Sequence, residues 1–364
     1  MTDKALVIGG TGPTGHFIVN GLRQRGFEVA ILHSGRHEVD EIPFEVEHIH
    51  TDPFDEDALS LAIGRRTWDL TIATYGRLRM ISRLFQGRTG KFISIGGGPA
   101  YRGYMNAEAT YPKGMLVPVP EGAAKTRSEE EDGKGFRVLK SEEVVFNHHP
   151  EATHFRYPYI YGKYQIVPRE WPIVRRILDG RSKIILPDGG HYLNHHGAAQ
   201  NMAHAVLCGV DRPEASRGQI YNCGDERVLS LGQVVEVCCD ALDATLEIVS
   251  MPYSLAISAR PLVGQPWTSH RMFDLTKIKS ELGYKDIVAP VDALSRAVKW
   301  LADNPIGERA ERSLQDPFDY AAEDRLLTAW TKFIEGFDSP AFSEEPGYTG
   351  SYSGPGGSVR KSAW

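Results

Sequence analysis

Residues 4–15 constrain the fold of this chain more than any other stretch. They read Lys4-Ala-Leu-Val-Ile-Gly9-Gly10-Thr11-Gly12-Pro13-Thr14-Gly15, and the helical spacing of Phe17, Ile18 and Leu22 follows. An apolar run thus ends in glycines spaced by threes, which predicts strand, tight turn, helix. Gly9 lets the strand turn sharply. Gly12 lets the backbone approach a pyrophosphate, and Gly15 lets helix and strand pack closely. The helix N-terminus offers unpaired N–H groups to the phosphates. A dinucleotide is therefore the expected ligand, cradled by Gly9, Thr11, Gly12, Pro13, Thr14 and Gly15.

The rest of the first half repeats this alternation. Strands are expected at 5–8, 28–32, 46–49, 70–73, 91–95 and 153–157, and helices at 14–25, 55–63, 78–85 and 135–147. Alternation of this kind means right-handed crossovers and a parallel sheet. The fold class is α/β, a Rossmann-type doubly wound parallel sheet with a smaller C-terminal substrate lobe. Residues 1–160 read mainly as the dinucleotide-binding domain. Residues 161–338 read as the substrate lobe, interleaved with the last sheet elements; helices are expected there at 168–178, 197–210, 231–242, 275–282, 291–303 and 320–333. Residues 339–364 read as a flexible tail or docking arm. The Gly-, Pro- and Tyr-rich stretch 97–134 is expected to loop over an active site.

Composition excludes several classes. The 364 residues carry a formal net charge of −6, so no basic footprint points to nucleic acid. The four cysteines, Cys208, Cys223, Cys238 and Cys239, form no zinc-type motif and read as reduced thiols. His191, His195, His196 and His204 do not share one face of a regular element, so no metal is expected. No apolar run is long enough to span a bilayer, and the chain opens directly on its first strand, so a cytoplasmic protein is expected. A small-molecule substrate is the expected partner, and a homodimer is compatible with the composition.

The Gly-x-x-Gly-x-x-Gly spacing resembles that of the extended and atypical short-chain dehydrogenase/reductases, the epimerase/dehydratase-like group. Three later segments are similar to that pattern: Arg156-Tyr-Pro-Tyr-Ile-Tyr-Gly162, Leu186-Pro-Asp-Gly-Gly190 with Asn194-His-His196, and Phe273-Asp274 through Leu282-Gly-Tyr284. The resemblance covers roughly residues 4–305. It implies that Ala73 and Tyr157 lie along the cofactor, and that Tyr161, Trp171, His195 and His196 line the substrate pocket.

The catalytic pattern departs from the family. Its Tyr-x-x-x-Lys becomes Phe136-Arg-Val-Leu-Lys140, which keeps the lysine that would hold the nicotinamide ribose and loses the proton-passing phenol. Tyr159-x-x-x-Lys163 matches literally but falls at a strand end. Glu142 and Glu143 read as a solvated helix face. The usual serine after the fifth strand becomes Ser94, followed by Gly96, Gly97 and Gly98, whose N–H groups suit a substrate oxyanion. The proton donor is then expected among Lys140, Tyr101, Tyr104 or Tyr159, or a water.

Where relatives that prefer NAD place an aspartate after the second strand, this chain has His33, Ser34 and Arg36, which favours NADP(H) over NAD(H). Asp52 fits either the adenine amine or a helix N-cap. The expected function is an NADP-dependent oxidoreductase acting on a carbonyl, imine or activated C=C. The alternatives are a sugar-nucleotide epimerase or dehydratase, and a non-catalytic NADP-binding regulatory protein.

Overall fold

The structure is a computed structural model and describes residues 2–74, 77–265 and 269–344. The motif Tyr352–Gly357 and the tail beyond 344 lie outside the described residues. The strands are β1 (Lys4–Ile8), β2 (Glu28–His33), β3 (Glu47–His50), β4 (Trp68–Ala73), β5 (Thr89–Gly97), β6 (Thr153–Tyr157), β7 (Tyr159–Tyr161), β8 (Lys183–Pro187), β9 (His196–Ala198), β10 (Ile220–Asn222) and β11 (Glu247–Met251). The helices that frame the site are α1 (Gly15–Gln24), α2 (Glu56–Ile63), α3 (Leu78–Leu84), α4 (Gly133–His148), α5 (Trp171–Leu178) and α6 (Ala199–Asp211).

Among the described residues, seven strands form one sheet in the order β10-β6-β5-β4-β1-β2-β3, and every pairing is parallel. Parallel strands need crossovers, and these cover both faces with helices. β1 shows the consequence: Ala5 and Val7 join the core against α1 and α6, while Leu6 and Ile8 join the core against α2, α3 and α4. All four are fully buried, which explains an uninterrupted apolar run rather than an alternating one. The strand order reverses between β1 and β4, the place where open parallel sheets leave a crevice beyond the strand ends.

The short pairs β7–β9 and β8–β11 are separate two-stranded sheets. One of them shifts a helix start. The helix expected from 197 begins at Ala199, because His196–Ala198 is taken by pairing with β7. The helix expected from 168 begins at Trp171. The stretch 97–134 is less a cover than a packed insertion, since Ala100, Tyr101, Tyr104 and Val119 are buried in it.

The chain divides into two units, Met1–Asp316 and Pro317–Trp364. Boundaries had been expected at 160/161 and 338/339. Past residue 160 the chain returns to the sheet, since β10 pairs with β6, in keeping with a lobe interleaved with the last sheet elements. In the second unit Tyr320–Glu335 is one helix, N-capped by Asp319. No helix among the described residues is long and apolar enough to cross a membrane.

Candidate functional site

The glycine turn has the geometry its sequence requires. Gly9 turns at φ +94°, outside the range of most side chains, and its N–H reaches Leu32 O at 2.9 Å. A Cβ on Gly15 would overlap the Gly10 carbonyl, so Gly15 is needed for α1 to sit on the turn. Gly12 is different: a Cβ there would meet nothing nearer than Gly9 O at 3.6 Å, and Thr11, Gly12 and Pro13 are half-exposed. Space beside Gly12 is therefore free for a ligand. Thr14 is the N-cap of α1 and makes no side-chain cap bond. Ala73 is buried at the end of β4, and Thr74 next to it ties that end to β1 through Ile8 O, at 3.0 Å from its N–H and 2.8 Å from its hydroxyl.

At the end of β2, His33 is buried, and burial lowers its pKa. Ser34 is half-buried. Arg36 is exposed and forms no ion pair among the described residues. The sequence reading missed Glu38, which folds back with its carboxylate 3.7 Å from His33 Nε2. Asp52 is exposed and accepts from Phe54 N–H at 2.9 Å, closing a turn. The N-cap of α2 is Asp55, which accepts from Asp57 and Ala58 N–H.

Most of the expected catalytic groups are already occupied. Ser94 is fully buried and bonded to His154 Nδ1 at 2.7 Å. Tyr101 donates to Asn222 Oδ1 at 2.6 Å and accepts from Arg156 at 2.8 Å; burial pushes its pKa up to about 12. Tyr159 donates to Val167 O and accepts from Arg169 N–H. Tyr157 donates to Met202 O, and Tyr161 to Asp225. His195 spends both ring nitrogens on Phe273 N–H and Asp225 O. Trp171 is buried and donates to Glu311, so it braces the lobe rather than facing a ligand. Lys140 lies on a partly exposed face, 2.6 Å from Glu143 and 5.3 Å from the Phe136 ring.

The post-β5 glycines also have packing reasons. A Cβ on Gly96 would overlap His154, and one on Gly98 would overlap Phe273 and crowd Tyr104. A Cβ on Gly97 would meet Pro99 Cδ at 3.3 Å. Glu142 is the clearest correction on α4. It is buried, not solvated, and grips Arg156 with both oxygens at 2.9 and 2.5 Å. Chain order could not reveal this, because Arg156 arrives on β6.

Tyr104 stands apart. Its ring is buried, and its hydroxyl faces the Arg271 guanidinium. The Arg271 guanidinium lies 4.5 Å over the ring. Arg271 is itself buried, yet its Nε and Nη2 have no hydrogen-bond partner among the described residues. Burial lowers its pKa, against the opposing effect of Tyr104, and Arg169 adds to the lowering. Arg169 lies 4.3 Å over the Tyr159 ring. Lys134, at the start of α4, is exposed by surface area, but its pKa is lowered by desolvation and then by Arg169 and Arg271, as for a side chain set in a cleft. Neither Arg169 nor Arg271 is paired with a carboxylate among the described residues.

Beside Arg169 lies a pocket lined by Glu170, Tyr192, Asn194, His196 and Leu262; Glu170 and His196 also line a neighbouring pocket with Tyr161 and Asp225. Burial raises Glu170 to about 7 and Asp225 to about 6, and lowers His196 to about 3. Of the expected substrate residues, His196 and Tyr161 are brought here. Lys134, Arg169, Glu170 and Arg271 were not foreseen, since single charged residues from separate segments give no periodic signal.

No protein-family model matches the chain. YbjS, an uncharacterised protein of Escherichia coli (strain K12), is 22% identical over 152 residues, 36% of this chain and 45% of that protein. The match thus spans less than half of the relative's length. Solved structures match over far more of the chain. UDP-glucose 4-epimerase of Thermotoga maritima, solved with UDP-glucose, superposes with a TM-score of 0.63 at 16% identity, covering 82% of this chain and 99% of its own. WbmH of Bordetella bronchiseptica, in complex with NAD+, gives 0.66 at 12% identity over 84% and 100%. dTDP-glucose 4,6-dehydratase of Bacillus anthracis, in complex with NAD, gives 0.63 at 14% identity over 83% and 97%. The chain shares its fold with these solved structures.

Proposed function

We propose that this protein is a dinucleotide-dependent enzyme that moves hydride to or from an anionic organic substrate, with NADP(H) the preferred cofactor. The observation that carries this reading is Arg271, a buried guanidinium with two unpaired nitrogens beside Arg169 and Lys134. An unpaired buried cation is costly, and a phosphate, diphosphate or carboxylate would pair with it. The glycine turn and the free space at Gly12 support a bound pyrophosphate. The solved structures of the same fold support a nicotinamide dinucleotide, since two of those compared are complexes with NAD or NAD+.

When bound, such a cofactor supplies hydride chemistry. The chain's own residues hold its phosphates at Gly9–Gly15, hold the substrate anion on Arg271, Arg169 and Lys134, and move a proton at the Tyr104 hydroxyl. A second reading is a sugar-nucleotide epimerase or dehydratase. The UDP-glucose bound in the Thermotoga structure carries a diphosphate that three cations would suit. Phe136 in place of the family's tyrosine weighs against its ordinary form.

Two expected outcomes test the proposal. NADPH binds more tightly than NADH in fluorescence titration, and Arg36→Ala removes roughly ten-fold of that preference. Equal affinities in the native protein sink the NADP assignment. In a turnover screen over phosphorylated, nucleotide-linked and carboxylate substrates, Arg271→Gln raises KM for whichever substrate is used. Tyr104→Phe lowers kcat by roughly 100-fold with cofactor affinity intact. Native kcat in Tyr104→Phe rejects Tyr104 as the proton donor.

A further inference from the structure

β2 and β3 pair so that His33 stands opposite His50, with His48 two residues earlier on the same strand and therefore on the same face. Glu38, from the loop that follows β2, folds back onto all three. Its carboxylate is 3.1 Å from His48 Nδ1, 3.2 Å from His50 Nε2 and 3.7 Å from His33 Nε2. His33 Nε2 and His48 Nδ1 are 3.1 Å apart. One ligand atom from each of the four residues lies within 4.8 Å of every other.

We propose that His33, Glu38, His48 and His50 bind one divalent transition-metal ion of the zinc type. A tetrahedral Zn²⁺ with bonds of about 2.0–2.1 Å sets its ligand atoms roughly 3.3 Å apart; Glu38 Oε1 is near that spacing from His50 and His33, and His33 from His48, while His48 now meets the other oxygen, Oε2, so closing the site asks only for a turn of the exposed carboxylate. Three imidazoles and one carboxylate are a donor set for Zn²⁺, Ni²⁺ or Cu²⁺, whereas Mg²⁺ and Ca²⁺ take oxygen. Ion pairing alone is a weaker account, because one carboxylate faces three bases and two of them also face each other.

The two strands supply rigidity. His33 is buried and His48 three-quarters buried, with side-chain exposures of 2% and 24%. His50 and Glu38 are exposed at 54% and 52%, which leaves an entry path. Binding carries one structural cost. Gly35 N–H lies 3.3 Å from His33 Nδ1, and a metal on Nε2 moves the ring proton to Nδ1. That long contact is then given up. Gly35, exposed and at φ +72°, has the freedom to turn its amide away.

The test uses the full chain, stripped with chelator and free of added dinucleotide, so its outcome is independent of the proposed enzymatic role. Calorimetric titration with Zn²⁺ is expected to show one ion per chain. Zn²⁺ raises Tm, chelator reverses the rise, and Mg²⁺ has no effect. His48→Ala/His50→Ala weakens Zn²⁺ binding by roughly 100-fold or more. The exposed single changes His50→Gln and Glu38→Gln serve if the double variant does not fold, and each weakens binding as well. Absence of saturable Zn²⁺ binding below millimolar concentration, an equal response to Mg²⁺, or native affinity in these variants overturns the site.

Discussion

Arg156→Met is expected to lower unfolding stability by about 3–5 kcal/mol, the usual cost of leaving one member of a buried ion pair without its partner. Arg156 is 1% exposed. It donates to both Glu142 oxygens, to the Tyr101 hydroxyl and to Glu121 O. Removing it strands a carboxylate inside the protein, beside His154 at 3.4 Å. Burial alone would raise the Glu142 pKa. The hydrogen bonds and charge of Arg156, with His154 and Lys125, outweigh burial and hold it below the ordinary carboxylate value. A depressed carboxylate contributes stability above its unfolded pKa, and the contribution fades as pH falls through the folded one. Denaturant melts of the native chain should therefore lose stability on acidification below the ordinary glutamate pKa. Arg156→Met should lose less over that span. A variant as stable as the native chain would mean that Glu142 has another partner.

The second large effect separates two glycines that look alike in sequence. Gly12→Val is expected to leave Tm nearly unchanged and to weaken dinucleotide binding by roughly 1000-fold, because the added side chain fills the place where the pyrophosphate approaches. Gly15→Ala is expected to act on the fold instead. Its methyl group would overlap the Gly10 carbonyl and push α1 off the turn, so Tm falls before binding can be measured. Thermal melts and NADPH titration on the same samples distinguish the two. Native dinucleotide affinity in Gly12→Val would reject the assignment of this turn to a pyrophosphate.

Much of the fold was legible because its signals are local. An uninterrupted apolar strand, glycines at fixed offsets and helices of regular period each need only a dozen residues to be read. The central strands and α1 to α4 accordingly lie within a few residues of their expected places. The starts of α5 and α6 were less legible. Whether 196–198 joins a helix or a strand depends on β7, nearly forty residues away.

Side-chain roles were decided by tertiary structure. The sequence offered Ser94, Tyr101 and Tyr159 as reactive groups and His195 as a pocket residue because of their type and neighbourhood, and each meets its hydrogen-bond partner across the fold, on β6, β10, the stretch before α5 or the segment at 273. Buried polar groups are hydrogen-bonded, and which partners they find is a property of three-dimensional neighbours. The same holds in reverse for Arg271, whose Nε and Nη2 meet no partner that the chain supplies, and for the three histidines gathered by Glu38. By itself the sequence determined the glycine turn and the parallel sheet. Only the folded chain decided which of its phenols, cations and imidazoles remain free to meet a ligand, because hydrogen bonding and burial act over distances in space that sequence separation does not encode.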